Sequence, residues 1–65
     1  MNYSEAVATA LLADEAWSAE LRRVFGERAG DARYAKSGEG APGSRLRRLY
    51  EAKINADRDM RELRP

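Results

Sequence analysis

Three groups of side chains in this 65-residue chain have types and spacings that invite chemistry. The first is Gly38-Glu-Gly-Ala-Pro-Gly43-Ser44-Arg45, with two glycines five apart followed by a hydroxyl and a base. A phosphate-cradling loop needs Gly-Lys-Ser/Thr after a strand. Here the order is Gly-Ser-Arg, the upstream segment does not read as strand, and the chain cannot hold a βαβ unit. The segment reads as a loop feeding a capped helix, because glycine and proline are the usual punctuation of a chain. The second group is Asp57 and Asp59. Two positions apart on a helix, they face different directions and make neither a metal pair nor an acid/base pair. The chain has no histidine or cysteine, and Lys36 and Lys53 are its only lysines. Imidazole ligands, thiolates and disulfides are therefore ruled out. The expectation is a non-enzymatic protein with no cofactor, no metal and no small-molecule substrate.

The third group, the arginines, is the most informative. Arg45, Arg47 and Arg48 fall in the first turn of a helix, where the macrodipole disfavours positive charge by a few tenths of a kcal/mol, roughly, for each residue. Something acidic must compensate. One source is internal: in an antiparallel pair of helices this turn lies beside Glu20 and Glu27. The other is external, either phosphates or an acidic protein surface. Arg22, Arg23, Arg28, Arg33 and Lys36 extend the patch. Residues 1–21 carry four acidic and no basic side chains, residues 22–48 carry eight basic and three acidic, and residues 49–65 balance. This acidic head argues against simple nucleic-acid binding, although nucleic acid stays open as a partner. Tyr34, alone in a glycine-containing stretch, either tucks onto the helices or reads a partner.

The elements that must position these residues follow from periodicity. Asn2 with Glu5 forms a candidate capping box, with Ser4 as a competing cap. From there Tyr3, Val7, Ala10, Leu11, Trp17, Leu21, Val24 and Phe25 recur at helical spacings, predicting a helix over about 3–26. Asp14 interrupts this stripe, leaving open a kink near Ala13. Residues 27–43 show no periodicity and read as a long connector, with one short helical turn at Asp31–Tyr34 allowed. Ser44 caps a second helix over about 45–63. Its stripe is Leu46, Leu49, Tyr50, Lys53, Ile54, Asp57, Met60 and Leu63, with Asp57 and Arg61 as a favourable pair four apart. Trp17, Leu21, Val24, Phe25, Leu46, Leu49 and Tyr50 form the expected core or dimer seam. The fold class is all-α, one small domain, an antiparallel helical hairpin.

Sixty-five residues bury little, about 60% of the unfolded chain's surface. Twelve of the apolar residues are alanine. Without disulfide or metal, association is the remaining source of stability, which predicts a homodimer closing a four-helix bundle. The start, Met-Asn-Tyr-Ser-Glu, lacks a basic targeting region, and Ala6 to Ala13 is too short to span a bilayer. A cytoplasmic setting away from membranes is expected.

Several segments share a recognisable order: Leu21-Arg-Arg-Val-Phe25-Gly26, Ala29-Gly30-Asp31-Ala32-Arg33-Tyr34, Gly38-Glu-Gly40-Ala-Pro42-Gly43-Ser44, then Leu46, Tyr50, Ala52 and Ala56. This order resembles a group of short uncharacterised proteins encoded by phages and prophages of high-GC bacteria. The likeness covers about two-thirds of the chain and leaves out the first sixteen residues. It implies a setting in which a small protein binds a host or defence protein and modulates or inhibits it. It implies no catalytic residues. Arg33, Tyr34, Arg45, Arg47 and Arg48 are the expected partner contacts.

Overall fold

The computed structural model covers residues 1–65 and is helical throughout its ordered elements. Helix α1 spans Tyr3–Phe25, α2 spans Ala29–Arg33 and α3 spans Arg45–Glu62. Two turns of 3-10 helix, Gly26–Arg28 and Lys36–Glu39, flank α2. The N-cap of α1 is Asn2. Its side chain accepts the Glu5 amide at 2.8 Å, while the Glu5 carboxylate accepts the Asn2 amide at 3.3 Å. Both ends of this reciprocal box satisfy amides that a helix start otherwise leaves without partners. Arg22 and Arg23 complement the dipole at the far end.

Helix α1 runs unbroken through Asp14, contrary to the kink its sequence allows. Asp14 sits on the flank of the buried face, where Arg33 pairs with it, so its charge need not turn the chain aside. The buried face itself differs from the expected stripe. It keeps Ala10, Trp17 and Leu21 of that stripe and adds Ala6 and Glu20, whereas Leu11 is 61% exposed. The steps from Ala6 to Ala10, on to Trp17 and Leu21, keep one side of the helix against α3. Leu11 lies about 100° around from Ala10. Val24, placed in the core by its spacing, is 47% exposed, because the packing partner ends at the first turn of α3.

Helix α3 returns antiparallel to α1. Ser44 caps it by accepting the Arg47 amide at 3.0 Å. Leu46 and Ala56 are buried, with Leu49, Tyr50 and Lys53 half-buried between them. Ile54, expected on this stripe, is exposed, and Ala56 takes its place at the seam. Leu63 is also exposed, one residue past the helix end. Asp57 pairs with Lys53 at 2.8 Å, not with Arg61. The reason is local: Lys53 lies half-buried with its ammonium 5.5 Å from the Trp17 ring, which sets it beside Asp57 on the same face.

The helical turn allowed at Asp31–Tyr34 is present as α2, and the rest of the connector is more ordered than the aperiodic residues 27–43 suggest. Successive short turns are closed by amides of Ala35 to Ala32 and of Gly38 to Ala35, both at 3.1 Å. This accounts for a length that is unusual for an unstructured helix–helix link. The segment then reverses at Ala41-Pro42-Gly43-Ser44, closed by the Ser44 amide on the Ala41 carbonyl at 3.0 Å. Proline second and glycine third, with Gly43 at φ 82°, is the order that a type II turn demands. Trp17, Leu21, Ala32 and Leu46 form the core, with Phe25, Ala29, Leu49 and Tyr50 packed around it. No helix is long and apolar enough to cross a membrane.

Candidate protein-binding surface

Trp17 is the point on which the three helices converge. Its indole Nε1 donates to the Gly38 carbonyl at 2.9 Å, so the connector is bonded directly to α1. The Arg33 guanidinium lies 4.9 Å from the ring centroid, and the Tyr50 ring packs at 5.4 Å with a 57° tilt. Gly38 has to be glycine here. A Cβ at this position would stand 2.0 Å from the Ala32 carbonyl oxygen, far inside contact distance.

Arg33 forms the second tie. It donates to the Ser18 hydroxyl at 2.7 Å and to the Asp14 carboxylate. The hydrogen bond to Asp14 is the main cause that raises its pKa above the ordinary guanidinium value, against a smaller opposing effect of burial. Arg33, expected at a partner, is therefore committed to α1. Its neighbour Tyr34 is not: it is 88% exposed, immediately after α2 and four residues before the Gly38 anchor. An aromatic ring is thus presented to solvent on a segment fixed at both ends.

The three first-turn arginines of α3 find internal partners. Arg45 reaches Glu20 at 3.6 Å, and Glu20 also receives both Nε and Nη2 of Arg23, at 2.8 and 2.6 Å. The Arg23 hydrogen bond leads the causes that hold the Glu20 carboxyl below its ordinary value, desolvation opposes it, and the charges of Arg23 and Arg45 add to the lowering. Arg47 donates to Glu51 at 2.9 Å and to Glu39 at 3.4 Å, and its guanidinium lies 5.7 Å from the Tyr50 ring. Arg48 donates to the Gly43 carbonyl at 3.2 Å. Glu20 thus serves as the internal partner expected of it. Glu27 forms no ion pair, and Glu39 and Glu51 take that role instead. The Arg47–Glu51 pair was legible as an i,i+4 spacing. Nothing local announces the pairing of Asp14 with Arg33, nineteen positions apart.

The five expected contact residues do not form one patch. Tyr34 follows α2, which packs on the side of α1 that bears Asp14 and Ser18. At about 100° per residue, Arg45 and Arg48 leave α3 on a different side from Arg47. The cations of α1 and the connector outside any ion pair are Arg22, Arg28 and Lys36, all exposed. The surface clefts are open and shallow, and the one beside Arg33 is floored by Leu21, Ala29 and Gly30. No three carboxylates converge to hold a metal ion. No protein-family model, curated protein or solved structure matches the chain.

Proposed function

We propose that this chain is a non-enzymatic binding module that offers Tyr34 to an acidic protein partner. The observation that carries this reading is the exposure of Tyr34, 88%, on a connector tied down by Arg33 and by Gly38. A ring carried on an anchored backbone loses less freedom on docking than one on a loose loop, which favours affinity. Tyrosine and arginine dominate the energetics of protein interfaces. Arg22, Arg28 and Lys36 supply exposed positive charge outside any ion pair on the last turn of α1 and the connector. Between residues 17 and 51 there are eight basic and five acidic side chains, a net +3. That balance suits an acidic protein surface better than a polyanion, because Glu27 and Asp31 are interspersed among the cations. The resemblance to phage-encoded proteins points to a host or defence protein as the partner, met in the host cytoplasm and modulated or inhibited by capture.

The test is quantitative capture from a lysate of a high-GC bacterium, with the chain and its Tyr34→Ala variant immobilised in parallel. The expected result is an acidic protein whose recovery drops by about thirtyfold on Tyr34→Ala, the effect of a hot spot near 2 kcal/mol, while far-UV circular dichroism is unchanged. An identical set of proteins on both columns sinks the proposal. So does a shift of a DNA or RNA duplex that weakens steeply with salt, because phosphate contacts then carry the binding.

A further inference from the structure

Six of the eight exposed large apolar residues, Met1, Tyr3, Leu11, Leu12, Ile54 and Leu63, lie in the half of the molecule away from the connector. The buried cluster of Trp17, Leu21, Ala32 and Leu46 lies in the other half. The chain exposes 4666 Å², more than the roughly 4,200 Å² of a compact monomer of its mass. Leu12 and Leu63 stand on one broad face of the hairpin, and the charges along that face follow an order.

On α1, Glu5, Thr9, Leu12, Ala16, Glu20 and Arg23 follow one another at steps of three and four, so they share one side. On α3 the matching series is Arg45, Arg48, Ala52, Ala56, Asp59 and Leu63. The helices run antiparallel, so the exposed charges of both series read alike from the open end to the connector end, acid first and base last, with Leu63 beyond Asp59 and the buried Glu20 paired to Arg23 and Arg45. Glu5 and Asp59 stand at one end, Leu12, Ala16, Ala52 and Ala56 in the middle, and Arg23, Arg45 and Arg48 at the other. The connector covers none of it, since Arg33 docks on Asp14 and Ser18 on the opposite side of α1. Ala56 is buried at the seam, which leaves no ridge between the helices.

We infer that this face is the interface between two copies of the chain, related by a twofold axis through the Ala16–Ala52 region. Such an axis lays the acidic end of one copy over the basic end of the other, twice, and seats Leu12, Ala16 and Ala52 between. An isologous contact requires self-complementarity of this kind. The charges available to it are underused within one copy. Arg45 holds Glu20 only at 3.6 Å with its side chain 67% exposed, Arg48 is bonded only to a carbonyl, and Asp59 is in no ion pair. The molecule measures 36 × 22 × 16 Å, so its broad face has room for the about 800 Å² per partner of a standard interface. The opposite face is a poorer seat: α2 occupies half of it, and Leu11 and Ile54 stand on the remainder. The inference is independent of Tyr34, which follows α2 on the other side of α1.

Sedimentation equilibrium of the full chain at up to about 100 µM decides it. The expected mass is twice the 7.3 kDa of one chain. Leu12→Glu yields a monomer, whereas Leu11→Glu, equally exposed but on the other side, leaves the pair intact. Arg48→Glu and Asp59→Arg each weaken association by about tenfold or more, and the two together restore it, because the swapped charges meet across the axis. All these positions are exposed, and circular dichroism of each variant confirms folding. A monomer at the highest concentration overturns the inference. So does a pair that survives Leu12→Glu, one that Leu11→Glu separates, or a double reversal that fails to restore it.

Discussion

At the scale of single residues, Gly38 and Gly30 make a controlled contrast. Both lie in the connector, and nothing in the sequence tells which of the two the fold requires. A Cβ at Gly38 meets the Ala32 backbone oxygen at 2.0 Å, whereas a Cβ at Gly30 meets nothing within 4 Å. Backbone cannot swing aside as a side-chain tip can, so Gly38→Ala is expected to cost at least the 1–3 kcal/mol, roughly, of an overpacked site. It also displaces the carbonyl that accepts the Trp17 indole. Gly30→Ala, inside helix α2, should instead stabilise by up to about 1 kcal/mol, through helix propensity alone. Urea unfolding of the two variants beside the parent measures both signs. Residue chemistry that is local was legible in advance: the Asn2–Glu5 box, the Ser44 cap and the Pro42-Gly43 turn all depend on neighbours within a few positions. The Trp17–Gly38 bond was not, because it joins residues twenty-one apart and no spacing rule encodes it.

At the scale of elements, the two long helices were legible because a 3.6-residue period persists over many turns. The face they bury was legible only in part. Reading weight from side-chain size favoured Leu11, Val24 and Ile54, yet the seam is set largely by Ala10, which the stripe contains, and by Ala6 and Ala56, whose smallness lets α1 and α3 approach. The connector was legible only as the short helical turn allowed at Asp31–Tyr34. A five-residue helix and two 3-10 turns are too short to display a period, and their order comes from tertiary ties. Arg33 is the principal tie, so Arg33→Ala is expected to release the connector without unfolding the hairpin. Amide exchange provides the readout: the Ala35 and Gly38 amides, bonded to Ala32 and Ala35, should exchange at least about tenfold faster, while the middle of α3 keeps its protection. Equal acceleration everywhere would mean that Arg33 supports the whole fold and not the connector alone.

At the scale of the whole molecule, only nine of the residues are buried, so few interactions separate the folded chain from the unfolded one. One of those nine is Glu20, which joins the end of α1 to the start of α3 through Arg23 and Arg45. Its carboxyl is held below the ordinary value of 4.5, chiefly by the Arg23 hydrogen bond. A lowered folded-state pKa means that the unfolded chain binds the proton more readily. The stabilisation is therefore complete above the ordinary glutamate range and disappears as pH falls through the lower, folded value. Thermal melts from neutral pH downward should show an acid limb that Glu20→Gln flattens, with the variant less stable near neutrality and the two curves converging in acid. A parallel acid limb in the variant would show that other carboxylates set it. The net balance of the connector half and the opposing acidity of the open half were readable from composition. That these charges alternate with apolar side chains along one broad face became visible only once the helices were set side by side.

The position of Trp17 gives the chain a built-in optical gauge. It is the only indole in the molecule, and it touches the connector through Gly38 and Arg33, and α3 through Tyr50 and Lys53. Its emission colour and quenching by dissolved iodide therefore register the undocking of the connector and the separation of the helices as two distinct signals. A partner gripping Tyr34 leaves that emission unchanged as long as both ties hold. A shift on binding would be direct testimony that the connector has been pulled from its seat.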